Sequence, residues 1–98
     1  MINITPKCLK VAEQAGLYIE CGTYEKTYPN NRKMVFASVT IHEEDTDFLI
    51  IYTVDMVGSL FLAVKPDYVE DLPYCIVNSR ELTAVVGFIA SKYGNGAL

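Results

Sequence analysis

The chain has no tryptophan and only one histidine, His42, among its 98 residues. A single imidazole leaves any nucleophile–base pair one base to use. The three cysteines, Cys8, Cys21 and Cys75, are far apart in sequence and odd in number. That spacing excludes a C-x-x-C redox pair and a local zinc knuckle, and a disulfide framework would leave one thiol over. Each sits in an apolar pattern, so they are expected to be small reduced core residues of a cytoplasmic protein. The six glycines are scattered, at 16, 22, 58, 87, 94 and 96. None forms a phosphate-cradling loop; they read as caps, a bulge at Gly22, a turn, tail positions and one helix interior, Gly87. No cationic segment followed by an apolar run opens the chain, so secretion has no support. The chain starts at Met1 without a tag and reads as a complete small protein.

One long apolar stretch is present, "FLIIYTVDMVGSLFLAV" from Phe48 to Val64. As a helix it would reach only about 25 Å, the lower limit for a bilayer, with Asp55 near its middle. Read as two strands around "DMVGS" it carries no such penalty, and no membrane span is expected. These two strands show almost no polar alternation. The pattern implies cover on both faces of the sheet, from helices on opposite faces or from a second copy. A homodimer is therefore expected.

At 51% hydrophobic and 20% charged residues, the chain is globular and of single-domain size, residues 1–98 with a loose tail at 94–98. Thr5-Pro6 opens a helix, Cys8, Leu9, Val11, Ala12 and Ala15 share one face, and Gly16 stops it. "LYIEC" and "TYEKTY" alternate as a strand, "PNNR" is turn chemistry, and Lys33 to His42 is a strand interior to the sheet. "KPDYVEDLP" is a loop with one helical turn at Asp67 to Asp71, and "YCIV" is a short last strand. Asn78 and Glu81 open a second helix whose apolar stripe is Leu82, Val85, Val86, Ile89, Ala90 and Tyr93, ended by Gly94. Gly87 inside it suggests a close backbone approach. The fold class is α+β: an antiparallel meander of about five strands with an N-terminal and a C-terminal helix.

Charge is regional. Between residues 43 and 71 stand eight acids and one base, Lys65, while the rest of the chain carries a small positive excess. "EEDTD" fails the calcium-loop pattern, because Phe48 stands where glycine is needed and Val54 where glutamate is needed. A metal ion or other cofactor is not expected. The meander would gather Glu43, Glu44, Asp45, Asp47, Asp67, Glu70 and Asp71 at one pole, which would suit a protein partner with a basic surface. A second candidate contact surface is the aromatic and basic hairpin with Tyr24, Tyr28, Arg32 and Lys33. Three bases there make a poor footprint for nucleic acid, which is not expected.

The helix–meander–helix order is similar to that of small regulatory, chaperone-like and phage-encoded inhibitor proteins, an architectural likeness that assigns no activity. The sequence thus points to a small acidic non-enzymatic binding protein that regulates or inhibits a larger macromolecular partner. The alternatives are a small-molecule or metal-binding domain with a pocket between sheet and helices, or a small enzyme using the acidic loop.

Overall fold

A computed structural model describes residues 3–44 and 46–94. The first helix, α1 (Pro6–Gln14), is capped by the Thr5 hydroxyl, which accepts from the Cys8 N–H. Proline at the first turn loses no needed donor. Gly16, at φ 74°, supplies the left-handed residue that turns the chain out of the helix. The chain then runs through β1 (Leu17–Thr27), β2 (Lys33–Glu43), β3 (Leu49–Val54), β4 (Leu60–Val64) and β5 (Cys75–Ile76) before α2 (Ser79–Tyr93). The strands pair antiparallel in sequence order, so the sheet is an uninterrupted meander. The expected α+β class is what the chain forms.

Helix α2 starts where sequence places it, with Asn78 Oδ1 accepting from the Glu81 N–H at 2.9 Å. The Glu81 carboxylate reaches back one residue further than in a capping box, to the Val77 N–H. The 67–71 segment forms a turn rather than a helical turn. Its backbone is held by the Val69 side chain in the core and by the Lys65 ammonium, which donates to the Val69 carbonyl. Two glycines act otherwise than their patterns suggest. β1 passes through Gly22 without a bulge; the register shift lies instead between Ile51 and Tyr52. At Gly87 nothing among the described residues lies within 4 Å of where a Cβ would stand, so none of their backbone approaches closely there.

Both helices lie on one face. Their Cys8, Ala12, Leu82, Val85, Val86 and Ile89 join Leu17, Val39, Ile41, Ile50, Tyr52, Leu60 and Ile76 in a single core. Each large apolar side chain removed from water there contributes about 1.5–3 kcal/mol. The expectation of cover on both faces is not met within one chain. β3 alternates, with Ile50 and Tyr52 fully buried and Leu49, Ile51 and Thr53 reaching solvent on the other side. The cysteines divide likewise: Cys8 is buried, Cys75 half-buried and Cys21 exposed, so Cys21 is not a core residue.

β2 pairs with β3 only over Ser38–His42, whereas it pairs with β1 along its whole length. Residues 22–37 therefore project past the sheet as a two-stranded ribbon, and only Tyr24, Tyr28 and Phe36 in it are even half-covered. The molecule is elongated to 45 × 27 × 22 Å as a result. An isolated ribbon of this kind is marginal in water, so its exposure calls for a reason.

Candidate functional site

The strand alternation that fills the core also defines the outer sheet face. Tyr24, Phe36, Thr53, Phe61 and Tyr74 converge there around a hollow of about 190 Å³, with Lys26 at its arm side. Phe61 and Tyr74 meet edge-to-face at 5.7 Å, a favoured aromatic geometry. Toward the other end of the same face, Tyr18 stacks on His42 at 5.5 Å, and His42 Nε2 stands 3.5 Å from Glu20 Oε2. Phe36, Phe61 and Tyr74 belong to this surface and were missed by the sequence reading. The available signal was the apolar residue on both sides of the β2 and β4 patterns, which reads equally as burial on two faces.

The acidic turn and the 65–74 loop come to the same end of the molecule, joined through Tyr93 at the last turn of α2. The Tyr93 ring lies 6.0 Å from Phe48 and 6.1 Å from Tyr68, and its hydroxyl accepts from the Glu70 N–H at 3.3 Å. Glu43, Glu44 and Asp47 from one loop and Asp67, Glu70 and Asp71 from the other thus share this end. Asp45 lies outside the described residues. Glu43 is half-buried, and Glu44, Asp47, Asp67, Glu70 and Asp71 are exposed. Glu44 Oε2 accepts from the Tyr18 hydroxyl at 3.1 Å. Asp71 takes φ 66°, a conformation an aspartate tolerates better than most residues. Lys92 tempers the acidity by lying over the Phe88 and Tyr93 rings, 5.6 Å from each centroid.

The hairpin candidates are split by the ribbon. Tyr28 and Arg32 close its tip, where the Tyr28 N–H donates to the Arg32 carbonyl at 2.8 Å. Asn31 at φ 65° makes that turn. Lys33 faces Glu25 at 3.6 Å with both side chains more than half exposed, a pair of little energetic consequence. Tyr24 stands apart from these, on the aromatic hollow.

Among the described residues, no three His, Cys, Asp or Glu side chains come close enough together to hold a metal ion. Among the described residues, His42 Nε2 has no hydrogen-bond partner. Burial pushes the Cys8 thiol above its ordinary pKa, an effect the Thr83 hydroxyl partly offsets, which suits a structural rather than a nucleophilic cysteine. No helix among the described residues is long and apolar enough to cross a membrane. Set beside family models, curated proteins and solved structures, the chain matches none.

Proposed function

We propose that the protein is a non-enzymatic binding module that regulates or inhibits a larger protein partner. The observation that carries this reading is the outer sheet face, where the half-buried Tyr24, Phe36 and Phe61 and the exposed Tyr74 line a hollow beside a projecting ribbon. Aromatic side chains on a rigid strand scaffold bury large area at little entropic cost, which is why they dominate contact hot spots. The acidic end lies on the same body, so the partner is a protein surface with an apolar centre and basic residues along one side. The free thiols support a reducing, cytoplasmic setting.

Affinity capture from the native host, with three baits in parallel, tests this. Wild type retains a stoichiometric protein partner; Phe61→Ser with Tyr74→Ser loses it while still melting in one cooperative transition. Glu43→Gln with Glu44→Gln and Asp47→Asn weakens it and flattens its salt dependence. A partner held equally by all three baits, or none held by wild type, overturns the reading.

A second reading rests on one specific hollow. On the helix side, at the root of the ribbon, Ile4, Cys21, Val39, Val54 and Leu60 line about 340 Å³ of mostly apolar space. That is within the range of small-molecule sites. A thermal-shift screen separates the readings, because a ligand present at about 100 times its Kd raises stability by about 2.7 kcal/mol.

A further inference from the structure

The outer edge of β1 is the feature of the fold that the proposed partner surface leaves unused. β1 is an 11-residue edge strand with an unbroken register against β2. It has no proline and no bulge, two of the devices that stop an edge from pairing. Its hydrogen-bonding direction follows from two fixed points. The Tyr28 N–H donates to the Arg32 carbonyl, and the Glu43 N–H donates to the Phe48 carbonyl. By the alternation of an antiparallel ladder, the even-numbered β1 residues bond to β2. The N–H and C=O groups of Ile19, Cys21, Thr23 and Glu25 are therefore directed at the free edge.

We infer that this edge pairs with the β1 edge of a second copy, antiparallel, about a twofold axis at Thr23. A twofold that relates antiparallel neighbours in one sheet stands perpendicular to that sheet, so even residues meet even residues. Centred on Thr23, the strand is self-complementary. Glu20 falls opposite the second copy's Lys26, and Lys26 falls opposite the second copy's Glu20. Tyr24 covers the second copy's Gly22, filling the space where no side chain stands. Both pairs occupy non-hydrogen-bonded positions, where facing side chains come closest. Shifting the centre to Gly22 sets Glu20 against Tyr24, and shifting it to Tyr24 sets Lys26 against Gly22. Only the Thr23 centre brings the opposite charges together.

The space for this neighbour exists. Beside the first residues of β1, Leu9, Glu13, Leu17, Tyr18 and Ile19 line a hollow of about 400 Å³, and Leu9 remains 45% exposed. In the Thr23-centred register, Thr27 to Pro29 of the second copy arrive at that place. The pairing gives the ribbon, which lacks a third strand in one chain, a third strand in the dimer. It leaves Phe36, Phe61 and Tyr74 of the outer face free on both copies, and the two surfaces meet only at Tyr24 and Lys26.

Sedimentation and light scattering on the full chain, with single and mixed variants, test the pairing. Wild type sediments at twice the 10.9 kDa chain mass. Glu20→Lys alone and Lys26→Glu alone each set like charges against each other twice, and each raises the dimer dissociation constant on the order of tenfold or more. An equimolar mixture of these two variants restores the dimer, since both facing pairs again carry opposite charge. Thr23→Pro, whose lost N–H faces the edge rather than β2, yields a folded monomer. A wild-type monomer at millimolar concentration overturns the inference. So does a dimer indifferent to all three substitutions, or a pair of reversed variants that fail to associate when mixed although each keeps the wild-type melting transition.

Discussion

The Tyr52 hydroxyl, on a side chain wholly buried in the core, donates to the Pro73 carbonyl at 2.9 Å. This bond ties the loop that carries Asp67, Glu70 and Asp71 to the middle of the sheet. Burial pushes the phenol pKa up to about 12 from its ordinary 10. The folded protein thus holds this proton over a range in which the unfolded chain gives it up. The associated stability is complete below pH 10 and is lost as the pH rises toward about 12. Tyr52→Phe is expected to cost about 1 kcal/mol at neutral pH, through the unpaired carbonyl, and to lose part of the alkaline decline. Urea midpoints of both proteins across that pH range give the comparison; parallel curves would contradict it.

Gly94 and Gly87 should respond to alanine in opposite directions. A Cβ at Gly94 would come within 2.6 Å of the Ala15 Cβ and 2.7 Å of the Ala90 carbonyl oxygen, where α1 and α2 end together. Neither neighbour can give way without moving a helix end. Gly94→Ala is expected to destabilise by about 1–3 kcal/mol. Gly87 has open space around it, so Gly87→Ala adds helix propensity without a clash and should stabilise by about 0.5–1 kcal/mol. Thermal melts of the two variants settle both signs.

What sequence revealed and what it hid divide along one physical line. Helix caps, turns and strand order depend on neighbours a few residues away, and Thr5, Gly16, Asn78 and the "PNNR" turn all act where the pattern puts them. Which face of an apolar strand is covered depends on elements distant in sequence. Ile51 and Phe61 look like core residues by composition, yet only their neighbours Ile50 and Leu60 meet the helices. The length of the ribbon was hidden for the same reason, because it is set by how early β3 stops and not by anything within β1 or β2. The acidic residues were legible as a regional excess. Their gathering at one end followed from the alternation of hairpin ends, whereas the Tyr93 contacts that join the two loops were not legible, because the helix stripe marked Tyr93 only as apolar.

Asp55 belonged to that acidic excess but serves the chain itself. Its Oδ1 accepts from the Val57 N–H at 3.0 Å and the Ser59 N–H at 2.8 Å, closing the β3–β4 turn around Gly58 at φ 87°. Asp55→Ala removes two charge-assisted bonds and is expected to cost about 1–3 kcal/mol. The equivalent neutralisation of exposed Asp47 should change stability by less than about 0.5 kcal/mol. Chemical denaturation of the pair distinguishes an acid that folds the chain from one available to a partner.

The ribbon offers the sharpest separation of folding from contact. No residue between 22 and 37 is buried except through the strand end at Ser38, so the core does not depend on the arm. Tyr24 and Phe36 form a hydrogen-bonded pair by the ladder alternation, the kind that a two-residue type I′ turn closes. Replacing residues 25–35 by Asn-Gly should therefore leave the melting transition within about 1 kcal/mol of wild type, with the shorter loop offsetting the lost strand pairs. The same variant lacks Lys26 and the last three residues of β1, which face Ile19, Glu20 and Cys21 of the second copy in the Thr23-centred register, and it should sediment as a monomer. An arm needed for folding would instead show up as a broad, early transition, and the ribbon would then have to be counted as part of the core.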